Sequence, residues 1–307
     1  MGTIYNIRVV TGFFQGVSGL REKIEKRLDE INASMSTYQK DSEISRFNNF
    51  HQSGTKFKIS KDFYEVMKTA KEIHRLSKGA WDGTVNPLVD LWGFGRKGAK
   101  TEIPLETEIS VLLPHIGFEN IEVLDDGSLM KKRVQVTLDL SSIAKGYGVD
   151  QIADIIRNEG YQDYLVEIGG EIFASGYRKD GALWRIGINR PQTDAAADEV
   201  YKVVNLHNQA FATSGDYRNF FVVDGIRYAH VIDPRSGYPI SNRVVSVTII
   251  ADTCTYADGL ATAVMVMGSN QGLELINRLD GVEGLIVVEQ LDGNLHDYYS
   301  TGFKALK

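Results

Sequence analysis

Val136-Thr137-Leu138-Asp139-Leu140-Ser141-Ser142-Ile143-Ala144-Lys145-Gly146-Tyr147-Gly148-Val149-Asp150, or VTLDLSSIAKGYGVD, is the stretch on which the fold turns. It begins with the alternation of a strand, passes through Ser-Ser and Gly-x-Gly, and runs into a helical pattern, Gln151 to Asn158. Strand, glycine turn and helix is also the layout of the phosphate-binding loop in a doubly wound parallel sheet. The match stops there. The dinucleotide fingerprint needs a third glycine and a turn that opens straight after the strand, whereas here Ser-Ser-Ile-Ala-Lys comes first. The Walker pattern fails as well, because Lys145 precedes its glycine and no Ser or Thr follows. One reading is a tight turn that lets a helix pack on a strand. The other takes Asp139, Ser142 and Lys145, at three-residue steps, as groups able to hold a ribose or base, a cation and a phosphate.

Outward from this stretch, helices and strands mix without regular βαβ alternation. Leu20, Ile24, Leu28, Ile31 and Met35 recur at helical spacing, as do Phe63, Val66, Met67, Ala70 and Ile73 behind Ser60 as N-cap. Ser36 to Glu43 reads as a polar turn, and Trp92 to Pro104 as a long loop. Ile121–Leu124 and Val134–Leu138 are expected to pair around Asp125-Asp126-Gly127. Further strands are expected at the N-terminus through Val10 and over Leu165–Ile168, Ile172–Ala174, Trp184–Ile188, Val203–Leu206, Phe220–Val223 and Val244–Ile250. The helix after Gly148 and two late helices, about Ala257–Met267 and Gly272–Leu279, complete the pattern. A last strand pair spans Gly284–Val288 and Asn294–Ser300. Thr193 to Glu199 reads as a polar surface loop. The expected class is α+β: mixed or antiparallel sheets with flanking helices, in one compact two-lobed unit spanning residues 1–307.

Composition narrows the function. The 307 residues are 43% hydrophobic and 24% charged, enough for a large core. A formal charge of -6 argues against a nucleic-acid partner, which needs a basic surface. Lys131-Lys132-Arg133 is short and reads as a solvated lead-in to a strand. The single cysteine, Cys254, excludes an intrachain disulfide framework and a Cys-rich zinc site. No apolar run reaches the roughly 20 residues of a membrane helix.

Four other stretches carry candidate chemistry. Asp258 and Thr262 stand at i and i+4 of a helix and offer hard oxygens suited to magnesium; the bland reading is an acid near a helix start and a core-facing threonine. Thr213, Ser214 and Gly215 give hydroxyls and free amides in one turn, or else a hairpin in which Asp216 and Arg218 pair. His230 precedes the turn Asp233-Pro234-Arg235-Ser236-Gly237, as catalyst or as structural histidine. Trp81 and Trp92, each beside glycine, either stack a flat ring or anchor the core.

The order of these motifs is more specific than any one of them. Met1-Gly2-Thr3, Ser36-Thr37-Tyr38, Trp81-Asp82-Gly83-Thr84, Leu91-Trp92-Gly93-Phe94-Gly95, Asp139 through Tyr147, Val166 through Glu171, Ala212 through Arg218, His230 through Pro234 and Asp258 through Thr262 follow one another. Together the chain resembles the FAD:protein FMN transferase (ApbE) family from Met1 to about Gly268. The resemblance implies an enzyme that moves the FMN half of FAD onto a threonine or serine hydroxyl of a target protein and releases AMP, with magnesium. It implies FAD contacts at Met1, Tyr38, Ala80, Trp81, Asp82, Asp139, Lys145 and Ile232, in a site between the two lobes. It puts a magnesium site at the Ser142 position, by its backbone carbonyl, with Asp258 and Thr262. His230 matches the family histidine suspected of a catalytic role, and amides around Ser214 and Gly215 join it as phosphate contacts. The acceptor is expected to be a redox-complex subunit or a reductase domain.

Two other readings stand beside this one: a magnesium-dependent FAD pyrophosphatase, and a flavin-binding protein without catalysis. The family also implies export, with a leader removed or a lipid anchor at the inner membrane, although cytosolic members exist.

Overall fold

The computed structural model describes residues 2–12, 16–95, 102–193, 195–196, 199–217 and 219–306. Strand β1 (Tyr5–Val9) leads into α1 (Leu20–Met35), which buries the five apolar residues of its stripe. The Ser36 to Glu43 turn is real, but a short helix the polarity concealed, α2 (Glu43–Asn48), follows Ser42 as its N-cap. After β2 (Lys56–Lys58), α3 (Lys61–Leu76) starts where Ser60 Oγ accepts the Phe63 amide at 3.2 Å. Then come α4 (Asn86–Leu91), α5 (Glu106–Leu112), β3 (Ile121–Leu124) and β4 (Ser128–Lys131).

Two expectations are corrected in this half, and one left open is decided. β3 pairs with β4 and not with Val134–Leu138. Residues 134–138 join no ladder, and 134 and 135 lie in a turn. Leu138 hydrogen-bonds instead to the Asn48 side chain, donating to Oδ1 at 2.7 Å and accepting from Nδ2 at 2.8 Å. Lys131 is not solvated: it is fully buried, and its ammonium donates to the Asn48 and Val134 carbonyls. Trp92 is a core anchor. Fully buried, it donates from Nε1 to the Gly237 carbonyl and stacks on Tyr228. Part of the loop expected from Trp92 to Pro104 lies outside the described residues.

The helix of the VTLDLSSIAKGYGVD stretch, α6 (Ala144–Asn158), begins before its glycines and contains them. A Cβ on Gly146 would stand 2.2 Å from the Cys254 carbonyl oxygen, so the glycine serves close helix packing, not a turn. Strands β5 (Tyr164–Ile168), β6 (Glu171–Ser175), β7 (Trp184–Asn189), β8 (Val200–Leu206) and β9 (Gln209–Gly215) follow. The hairpin β10 (Phe220–Val223) and β11 (Ile226–Ala229) precedes β12 (Val244–Ala251). The two late helices form one run, α7 (Cys254–Ile276), broken at Gly268, whose φ of 81° is left-handed. β13 (Glu283–Glu289), β14 (Leu295–Tyr299) and β15 (Ala305–Leu306) close the chain.

Seven strands form one antiparallel sheet in the order β1-β5-β6-β9-β12-β13-β14. One face packs on helices: Val247 and Ile249 of β12 join Leu260 and Val264 of α7 in a core that extends to α3 and Trp81. On the other face β7, β8 and β15 form a second layer, with Trp184, Ile186 and Val204 against Ile172, Phe211 and Leu285. Two fastenings place α6 against α7. Asp150 accepts the Cys254 and Thr255 amides at 2.7 and 2.8 Å, capping α7 from outside its own chain segment, since Thr253 makes no side-chain cap. Gly146 brings the backbones together one turn earlier.

Candidate active site

A cavity of about 410 Å3 opens where the start of α6, the end of β9, the first turns of α7 and the segments around residues 80–89 and 230–234 converge. Asp258 and Thr262, one helical turn apart on α7, both face it. The Asp258 carboxylate holds the Lys145 ammonium at 3.1 and 3.3 Å and accepts the Gly146 amide at 3.0 Å. In a regular helix that amide would donate to the carbonyl four residues back, which is Ser142. Its diversion to Asp258 leaves the Ser142 carbonyl without that partner, beside the cavity. The Ser142 hydroxyl has another task, accepting Trp81 Nε1 at 3.1 Å. Thr262 Oγ1 lies 3.1 Å from Ser214 Oγ, bringing the β9 motif onto the same spot.

Glu171 completes the acidic end, and sequence reasoning missed it. It was visible only as the last residue of the Val166 to Glu171 motif; nothing there reports that β6 begins with a carboxylate 3% exposed, its Oε1 3.1 Å from Lys145 Nζ. Burial works to lower the proton affinity of Lys145, but the Asp258 and Glu171 charges outweigh it and the ammonium is held above its usual range. Burial, with the Asp258 charge beside it, pushes the Glu171 carboxyl up against the pull of Lys145.

His230, just past β11, lines the same cavity. Its Nδ1 lies 3.2 Å from the Asn219 carbonyl, a bond that only a protonated Nδ1 can make. The neutral ring therefore keeps its proton there and leaves the Nε2 lone pair available. Burial lowers its proton affinity, and Arg227 adds to that, against the Asn219 bond; the ring is held neutral at pH 7. Ile232, buried in a cluster with Leu88 and Trp92, also lines the cavity. Asp216 pairs with Arg227 at 3.1 Å, tying the end of β9 to the hairpin; the expected partner Arg218 lies outside the described residues.

The other expected contacts separate by role. Ala80 and Trp81 are buried walls of the cavity. Asp82 also lines it, but both its oxygens are engaged: Oδ1 accepts the Thr84 amide and hydroxyl at 2.8 and 2.6 Å, and Oδ2 the Phe118 amide at 2.8 Å. Among the described residues, His74, Asp82 and Glu119 form a trio with ligand atoms within 4.8 Å. With Asp82 so engaged and His74 Nδ1 3.0 Å from the Trp81 carbonyl, the trio is a structural knot under the cavity wall. Asp139 stands at the rim, its Oδ1 accepting the Ser141 amide at 2.8 Å. Tyr38, 77% exposed, is not part of the cavity wall; it lines two adjoining grooves that share Asp139 with it. Thr213, Ser214 and Gly215 do not form the expected turn: they end β9, in register with Thr248, Val247 and Ser246 of β12, and a Cβ on Gly215 would meet the Tyr217 ring at 2.8 Å. Met1 lies outside the described residues.

An antiparallel sheet backed by helices, with an Asp and Thr one helical turn apart facing a lysine held by two carboxylates, defines the class. The chain belongs to the ApbE family, whose model matches residues 1–286. It is 42% identical to an FAD:protein FMN transferase of Vibrio cholerae over 307 residues, 99% of this chain and 90% of that one. It is 36% identical to the enzyme of that name from Escherichia coli over 94% of this chain and 81% of that one. In three dimensions it matches the flavin transferase ApbE from Vibrio cholerae with a TM-score of 0.89 at 41% identity, over 99% of this chain and 95% of that one. The apo flavinyl transferase ApbE of Pseudomonas stutzeri matches with a TM-score of 0.86 at 36% identity, over 97% and 91%.

Proposed function

We propose that this chain is an FAD:protein FMN transferase that moves the FMN half of FAD onto a threonine or serine hydroxyl of an acceptor protein and releases AMP. The observation that carries the reading is the meeting of Asp258, Thr262, Ser214 and Lys145 in a cavity that a neutral His230 also lines. The acceptor oxygen attacks the FMN phosphorus, the bond from that phosphorus to the bridging oxygen breaks, and AMP departs with the bridging oxygen. His230 Nε2 takes the hydroxyl proton, which its bond to Asn219 leaves it free to do. Lys145 and the Ser214 hydroxyl line the cavity that would take the dianionic pyrophosphate and offset its charge.

The donor set also fits magnesium. A carboxylate from Asp258, a hydroxyl from Thr262 and the Ser142 carbonyl, relieved of its helical partner, are the hard oxygens that magnesium favours. When bound there, magnesium supplies neutralisation of phosphate oxygens and of the charge on the leaving AMP. As acceptor we propose a subunit of a membrane redox complex or a flavin-carrying reductase domain.

Incubation with FAD, magnesium and such a domain, followed by a denaturing gel, tests the reading. Flavin fluorescence on the acceptor band is expected; free FMN without a labelled acceptor identifies a pyrophosphatase, and intact FAD a carrier. His230→Ala is expected to keep FAD binding and to lose roughly 10²–10⁴-fold in transfer rate. Full transfer by that variant would assign the proton to another acceptor.

A further inference from the structure

The acidic end of the cavity holds its charges unevenly. Lys145 Nζ makes two contacts to Asp258, at 3.1 and 3.3 Å, and one to Glu171 Oε1, at 3.1 Å. Glu171 Oε2 is buried and has no hydrogen-bond partner. A buried acceptor without a donor bears its full desolvation cost, so its retention calls for a state in which it is satisfied. Asp258, meanwhile, is the carboxylate that the magnesium reading requires. An ammonium and a divalent cation cannot both occupy its oxygens without strong repulsion. One carboxylate thus carries a cation that must leave, and its neighbour offers an unused oxygen to receive it.

We propose that Glu171 is a positioning residue for Lys145: when a divalent cation takes Asp258, the ammonium shifts onto both oxygens of Glu171 and is held there facing the pyrophosphate. This rests on the magnesium reading above. The move is small for a four-carbon stem with three rotatable donors. It satisfies Oε2, and it leaves one N–H of the ammonium for a phosphate oxygen. Glu171 therefore acts through Lys145, not on the reacting atoms. The Lys145 side chain is 28% exposed, so its stem has room on the cavity side to make the shift.

Mn2+ binding, followed by electron paramagnetic resonance in the absence of FAD, tests this with Glu171→Gln, Lys145→Met and the double variant. Both substitutions are close in shape to the native residue, and melting curves establish that each variant is folded. Glu171→Gln is expected to weaken Mn2+ binding roughly 10–100-fold, because the ammonium then has no second carboxylate and stays on Asp258. Lys145→Met is expected to tighten binding by removing the tethered competitor. In the Lys145→Met background the effect of Glu171→Gln is expected to shrink to a small fraction of its size, the signature of two residues acting as a unit. Equal weakening in both backgrounds overturns the proposal and makes Glu171 a direct ligand or a remote charge. Absence of Mn2+ binding in every variant that still binds FAD overturns the magnesium reading itself, a separately visible failure. A crystal structure of the Mn2+-loaded wild type supplies a check that needs no variant. Lys145 Nζ is expected within hydrogen-bond distance of both Glu171 oxygens and out of reach of Asp258; an ammonium still seated on Asp258 beside the metal overturns the proposal.

Discussion

Lys131 and Lys145 are both drawn out of water, and the fold treats them in opposite ways. Lys131 is fully buried at the end of β4, over the Phe47 ring at 4.9 Å, with two backbone carbonyls as acceptors and no carboxylate paired with it among the described residues. Burial lowers its proton affinity to a pKa of about 8. Lys145 stands between two carboxylates that overcome the same penalty and push it the other way. Burial alone therefore does not mark a functional amine. The difference lies in what was buried with it: Lys145 keeps acidic company that a substrate phosphate or a cation can compete for, and Lys131 holds only fixed backbone.

The largest test of this contrast removes the company. Asp258→Asn is expected to lower the transfer rate by roughly 10²–10³-fold, read as flavin fluorescence on the acceptor. Lys145→Met should fall by a similar factor while Lys131→Met transfers close to the wild-type rate; equal losses from the two lysine variants would erase the distinction. In stability, Lys145→Met leaves two buried carboxylates uncompensated and is expected to cost about 3–5 kcal/mol in urea unfolding. Gly146→Ala tests the frame beneath. Its Cβ would drive α6 off the Cys254 carbonyl, at an expected cost of about 1–3 kcal/mol, with weaker Mn2+ binding as Asp258 loses the Gly146 amide. The smallest effect is in pH. Between about 8 and the ordinary lysine value of 10.5, the unfolded chain keeps a proton that folded Lys131 has released, so stability rises with pH across that window. The melting temperature of the wild type should gain on that of Lys131→Met from pH 8 to 10.5; parallel curves would mean that Lys131 stays charged.

Periodicity and motif order carried much of this into view. The stripes of α1 and α3, the Ser60 cap and most of the central strands are legible because each depends on local spacing. The alternation of Val136, Leu138 and Leu140 is equally genuine, and all three are buried, yet it misleads. Alternation reports which side chains face a core and says nothing about whether a neighbouring strand supplies the hydrogen bonds. Gly146 misleads in the same way: glycine in sequence signals a turn, and only the packing of α6 on Cys254 shows it inside a helix. Glu171 was beyond reach because its role depends on Lys145 and Asp258, distant in the chain, arriving at one carboxylate.

The bond that replaces the missing ladder at Leu138 has a dynamic consequence. Asn48 stands in for one rung of a sheet, gripping Leu138 through both ends of its side-chain amide, while Lys131 holds its backbone carbonyl. The next residue adds a second tie, since the Asp139 amide donates to the Gly83 carbonyl at 2.7 Å, so the segment that carries Asp139 opens as a unit only when both bonds let go. Hydrogen exchange at the Leu138 N–H becomes a clock for the rim of the site. A ligand that engages Asp139 should slow that clock, while the amides of the central sheet keep their own time.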